Sequence, residues 1–284
     1  MKKFGKLFAV SLLILVMVFV LVGCGGSDGN VNNGNDGNTN DNGQEAVTEV
    51  RRFETTPMAL LELINSGVDA VVADSPVVLE FIKENPNSGL KAFGDDNFEK
   101  EFYGMAMRQE DTDTHAMINE GLSKIRANGV YDKIFNKYFG DGADYEVAES
   151  ENTLGITLNV AQDMAYAPFE SINEDGEPEG FDVDLIRAIA AEMGFAVNLI
   201  NTNWDGIIPS LTGGNSDLII SAMTITEERS KSVTFSDPYF EATQFIAVQE
   251  GSDIASLADL EGKKIGVQNQ TTGDIAVTEF FNLD

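Results

Sequence analysis

The chain is poor in the residues that most hydrolases, metalloproteins and nucleic-acid-binding proteins depend on. It has one Cys, one His and one Trp in 284 residues. A single Cys excludes an internal disulfide and any Cys-rich zinc site. A single His excludes multi-His metal centres, although all-carboxylate Ca²⁺ or Mg²⁺ sites stay open in principle. That residue, His115, is predicted at a helix start, on the surface and remote from any candidate site. It leaves little room for acid–base or nucleophilic catalysis, so neither a catalytic residue, a metal nor a cofactor is expected. Positive charge is also scarce: 18 Lys+Arg stand against 47 Asp+Glu, a net charge of −29. Phosphate backbones would repel such a chain, which excludes nucleic acid as a partner. What is present is a 43% hydrophobic content. That suffices for a real core, in two compact domains or one large one.

The N-terminus has the layout of a targeting segment. Lys2, Lys3 and Lys6 precede the apolar run Leu7 to Val22, which is short for a membrane span and suited to a signal peptide. Leu21-Val22-Gly23-Cys24 looks like a bacterial lipobox. Residues 1–23 read as a lipoprotein signal, with Cys24 the lipidated residue; the alternative is an uncleaved anchor. In residues 25–46, Gly and Asn fill 13 of 22 positions, which makes 24–46 a flexible tether. The expected location is extracytoplasmic, on the outer face of the cytoplasmic membrane, held by the lipid.

Beyond Val47 strands and helices alternate. Thr56-Pro57 caps and starts a helix that Gly67 ends. Residues 69–73 form a buried strand, Ser75-Pro76 opens a helix, and Tyr103 to Met107 is one strand. Helices follow over 112–128 and 131–138, and an acidic connector occupies 141–152. The alternation resumes with strands at 156–160, 196–200, 218–221, 245–248 and 264–267. Asp182 caps a helix that closes at Gly194, another helix spans 205–211, and Gly273 opens the last. This predicts open, mainly parallel α/β sheets covered on both faces, with ligands beyond the carboxyl ends of strands.

Seven segments carry a resemblance. They are Val160-Ala-Gln-Asp-Met-Ala-Tyr-Ala-Pro-Phe169 with Gly180-Phe-Asp-Val-Asp-Leu185, then Trp204-Asp-Gly-Ile-Ile-Pro209, Ser221-Ala-Met-Thr-Ile-Thr-Glu-Glu-Arg229 and Phe235-Ser-Asp-Pro-Tyr239. Lys264-Ile-Gly-Val-Gln-Asn-Gln-Thr-Thr-Gly273, Val68-Asp-Ala-Val-Val-Ala-Asp74 and residues 129–140 complete them. Together they resemble the solute-binding proteins of bacterial polar amino-acid ABC importers (extracellular solute-binding proteins, family 3). The resemblance implies a two-lobed periplasmic-binding-protein (Venus flytrap) fold, each lobe an open α/β sheet, joined by two hinge strands. The order differs from the family's: the segment like 153–284 comes first there, and the segment like 47–140 second. A circular permutation accounts for this, with 141–152 joining the old termini and new termini opening after Phe280-Phe281-Asn282; a fragment of a tandem array is the alternative. One lobe is then split, 47–102 plus 245–284, and the other contiguous, 104–242.

The resemblance also implies a site. Arg229 occupies the position that grips the ligand carboxylate, where a planar fork gives two parallel hydrogen bonds. Thr224 and Thr272 match positions that donate backbone or hydroxyl hydrogen bonds to the same group. Asp74 accepts from the ligand ammonium, and Asp163 reaches the side chain or ammonium. Tyr166 and Trp204 match aromatic walls. Ala222 stands where Gly or Ser is usual, which can reshape that backbone-carbonyl corner, and Gln270 replaces a common Gly. Gln268 fills a position that tunes side-chain choice. The implied function is capture of a polar amino acid, arginine or lysine with glutamine the close competitor, by a monomeric protein without enzymatic activity, and delivery to an ABC permease. A sensory ligand-binding protein and a dehydratase-like enzyme on the same fold are the alternatives.

Overall fold

A computed structural model describes residues 47–283. The signal segment, Cys24 and the tether expected before Val47 lie outside the described residues.

Two five-stranded sheets build two lobes. The first takes β1 (Glu49–Phe53), β2 (Ala70–Asp74), β3 (Leu90–Gly94), β14 (Gln244–Gln249) and β15 (Lys264–Gln268) in the order β1-β15-β2-β14-β3. The second takes β5 (Ala106–Met107), β6 (Thr157–Gln162), β10 (Ala196–Asn201), β11 (Leu218–Ile219) and β12 (Thr234–Phe235) in the order β10-β6-β11-β5-β12. Between them β4 (Glu101–Tyr103) and β13 (Phe240–Ala242) pair antiparallel as the two crossing strands. A small ribbon, β7 (Ala165–Tyr166), β8 (Glu170–Ile172) and β9 (Pro178–Glu179), decorates the second lobe.

The parallel expectation holds for β1, β15 and β2, and for β10, β6 and β11. It fails for β14, β5 and β12, which run antiparallel to their neighbours. Tyr103 to Met107 is not one strand. It breaks at Gly104, where an added Cβ would lie 2.8 Å from the Ile225 side chain, and its halves serve the crossing pair and the second sheet.

The helices are α1 (Thr56–Ile64), α2 (Ser75–Glu84), α3 (Thr112–Ala127), α4 (Val130–Phe139), α5 (Phe181–Met193), α6 (Trp204–Thr212), α7 (Glu227–Ser230) and α8 (Thr272–Phe280). Strand alternation divides β2 between two cores. Ala70 and Val72 pack with Val277 of α8, while Val71 and Ala73 pack with Leu60 and Leu63 of α1. The second sheet is likewise covered on both faces, by α3, α4 and α5 on one and by Ile207 and Leu211 of α6 on the other. Phe169, Phe181, Tyr103, Tyr239 and Phe240 form an aromatic cluster where the crossing strands meet the second lobe, with Tyr103 and Phe240 rings stacked 5.6 Å apart.

Three helix starts differ by a residue or two from expectation. Thr55, not Thr56, caps α1, because its side chain accepts from the Met58 N–H. Gly180, not Asp182, is the cap of α5, and the Asp182 side chain turns into the protein instead. Thr271 caps α8, so Thr272 is its first helical residue. Each shift frees a polar side chain for the cleft or its support.

Candidate functional site

The carboxyl ends of β2, β15, β6 and β11 point to one cleft between the lobes. Its lining is Asp74, Gln268, Thr271 and Thr272 from the first lobe, and Asp163, Tyr166, Trp204, Ser221, Ala222, Thr224 and Arg229 from the second. The space between these side chains, counting that open to solvent, is about 300 Å³. All nine binding residues expected from the sequence therefore meet in one place. Ser221 and Thr271 are additional.

Arg229 sits on the four-residue helix α7, whose cap Thr226 accepts the Arg229 backbone N–H. Its guanidinium donates to the Thr224 carbonyl at 2.8 Å and the Gln270 carbonyl at 3.4 Å, and lies 5.1 Å from the centre of the Trp204 ring. Trp204 is thus a cation–π platform for Arg229. Among the described residues no carboxylate forms an ion pair with Arg229. Burial pushes its pKa down, while the charges of Glu101 and Asp74 oppose that. A half-buried, unpaired guanidinium is a strong site for an incoming carboxylate.

Two left-handed backbones shape this corner. Ala222 has φ 44° and Gln270 φ 58°, so both hold the conformation a glycine would favour. Neither residue is a glycine, and the left-handed conformation costs each about 1–2 kcal/mol.

Asp74 ends β2 and is 4% exposed. Its carboxylate accepts from the Tyr103 hydroxyl and the Gln244 amide. Burial, followed by the nearby Glu101 charge, pushes its pKa up to about 6. Asp163 follows the end of β6; burial pushes it up to about 6 as well, with the Gln268 amide opposing. Gln268 Nε2 donates to Asp163 Oδ2 at 2.9 Å across the cleft. Thr56 fixes that orientation, giving both its N–H (3.2 Å) and its hydroxyl (2.9 Å) to Gln268 Oε1. Tyr166, expected as an aromatic wall, is buried.

The sequence reading missed Glu101. This residue of β4 accepts from the Thr224 hydroxyl at 2.6 Å, the Thr272 hydroxyl at 2.7 Å and Gln244 Nε2 at 3.0 Å. It ties both lobes together at the cleft floor. It also commits the two threonine hydroxyls, so the Thr272 contribution left for an anion is its backbone N–H, unpaired in the first turn of α8. A signal for it existed: in a strand, Glu101 shares a face with Tyr103. His115 bonds the Phe235 carbonyl and lies outside the cleft lining. Among the described residues no cluster of His, Cys, Asp and Glu could hold a metal.

Fold and cleft together define two α/β lobes around one charged cleft. Residues 158–281 match the bacterial extracellular solute-binding proteins, family 3. Relatives include a probable histidine-binding protein of Neisseria gonorrhoeae, 40% identical over 131 residues, covering 46% of this chain and 49% of the relative. The ABC transporter arginine-binding protein 1 of Escherichia coli is 40% identical over 115 residues, covering 40% of this chain and 47% of the relative. Among solved structures, an ancestral arginine-binding protein bound to glutamine is 44% identical over 43% of this chain and 55% of its own, with a TM-score of 0.40. The chain matches about half the length of these curated relatives. Among the described residues no helix is long and apolar enough to cross a membrane.

Proposed function

We propose that the protein captures an amino acid with a cationic side chain, arginine first, between its lobes and hands it to an ABC import permease. The observation that carries this reading is the charge layout of one small cleft. Arg229 stands at one corner for the α-carboxylate, Asp74 at another for the α-ammonium, and Asp163 at a third for the side chain. Each buried charge of such a ligand meets an opposite one, which desolvation demands. Asp163 and Asp74 are both strained towards protonation by burial, and a ligand cation relieves that. The fixed Gln268 amide beside Asp163 adds a donor that suits a glutamine side chain as the close competitor. No catalytic step is proposed.

The remaining parts of the reading are lipid attachment at Cys24, the tether 24–46, and the exchanged order of the two halves. Collinear comparison can match only one of two exchanged halves, and the match does cover about half of each partner. The first sheet supports the same reading: β1 and β2 from before the connector interleave with β14 and β15 from after it. Lipid and ammonium capture are separable questions. The cleft is tested by titrating L-arginine into the protein and into its Arg229→Ala variant. Saturable binding lost in the variant, with an unchanged circular-dichroism spectrum, is the expected result. Equal affinity in both removes the assignment.

A further inference from the structure

Behind the cleft lies a second acidic pair that ligand contacts do not use. Glu170 of β8 and Asp182 of α5 are both 0% exposed. The two carboxyl groups are neighbours, because they hold adjacent residues, Ser221 and Ala222. Among the described residues neither forms an ion pair with Lys, Arg or His. Asp182 Oδ2 accepts the Ala222 N–H at 2.8 Å and the Tyr239 hydroxyl at 2.7 Å. Glu170 Oε1 accepts the Ser221 hydroxyl, and that hydroxyl in turn accepts the Asp163 N–H at 3.0 Å. The two remaining oxygens, Glu170 Oε2 and Asp182 Oδ1, have no donor.

Two ionised carboxylates in a fully buried site, with no cation and two orphaned oxygens, are not a stable arrangement. One proton removes both defects. Shared between Glu170 Oε2 and Asp182 Oδ1, it would satisfy both orphans and leave a single negative charge. Asp182 carries that charge, because it accepts two other donors and Glu170 only one.

We propose that Glu170 and Asp182 share one proton at neutral pH, and that this proton-bridged pair positions the Ser221–Ala222 corner of the cleft. Through Asp182 it holds the Ala222 N–H, and with it the left-handed backbone at φ 44°. Through Ser221 it holds the backbone of Asp163. Losing the proton would set two charges against each other directly behind these residues. The groups facing the pair are Tyr239, Ser221, the Ala222 amide and, at longer range, the Asp163 carboxylate. Burial and mutual repulsion push Glu170 well above the ordinary range of a glutamic acid. The proton belongs to the pair whatever the cleft binds, so the test needs no ligand.

Infrared spectroscopy at pH 8, where Asp74 and Asp163 are ionised, reads the proton directly. The expected result is a protonated-carboxyl C=O band in the wild type that is missing in Glu170→Gln. Glutamine keeps the geometry by donating its own N–H to Asp182, so this variant should fold. Absence of the band from the wild type overturns the proposal, and that arm does not depend on any variant. Positioning is read at the Ala222 amide by NMR. Its shift should titrate with pH above 8 in the wild type and stay flat in Glu170→Gln. Parallel behaviour in the two proteins overturns the positioning role.

Discussion

At the scale of single residues the account rests on unpaired charge. Arg229→Ala should weaken L-arginine binding by on the order of a hundredfold or more, because the ligand carboxylate would then be buried without its partner. Arg229→Lys keeps the charge but loses the fork, and calorimetry should place it between the two. Asp74 and Asp163 make affinity depend on pH. Burial pushes each up to about 6, and a cation binds the ionised form. Affinity should be level above about pH 7 and fall roughly tenfold per pH unit per carboxyl as pH drops through 6. Asp163→Asn should remove part of that slope; an unaltered slope would separate Asp163 from the ligand. The same shifts act oppositely on the ligand-free fold. A raised carboxyl pKa contributes stability that is complete below the unfolded-state value near 4 and is lost as pH rises through 6. Ligand should therefore stabilise the protein more at pH 7 than at pH 5.

At the scale of elements the fold depends on a few close approaches. Gly180 caps α5 at φ 133°, and an added Cβ would fall 2.1 Å from the Phe169 carbonyl oxygen. Gly180→Ala should destabilise by about 2–4 kcal/mol, read as a lower urea midpoint at unchanged m-value. Long periodic helices and buried strands such as 69–73 were legible in the sequence because one pattern runs through many residues. The two-residue strands β5, β7, β9, β11 and β12 offer too few residues for a period, and their pairing is set by tertiary contacts. The site splits the same way. Asp74, Arg229 and Gln268 stood out through motif and strand-end position. Glu101 and Gln244 did not, because their partners are distant in the chain: Thr272 lies 171 residues from Glu101, and Asp74 lies 170 from Gln244. Asp182 was misread as a cap for a related reason. Its partners, Ala222 and Tyr239, belong to another part of the second lobe.

At the scale of the whole molecule two lobes share one cleft, and the chain passes through the first lobe twice. Residues 141–152 run without regular structure along the second lobe, with Tyr145 and Val147 packed on its core. If this segment joins former termini, a chain reordered as 153–281 followed by 47–140 should fold and bind with affinity within a few-fold of the original. Failure of the reordered chain to fold would count against exchanged halves. On the proposed function the ligand is held from both lobes, so neither should bind it well alone. The most direct test of the central claim is a thermal-shift series with the twenty amino acids at pH 7.5. A native-state ligand raises the midpoint in step with its affinity. The account predicts the largest rise for arginine, smaller rises for lysine and glutamine, and none in Arg229→Ala. No rise with any amino acid, or an equal rise in the variant, would contradict it.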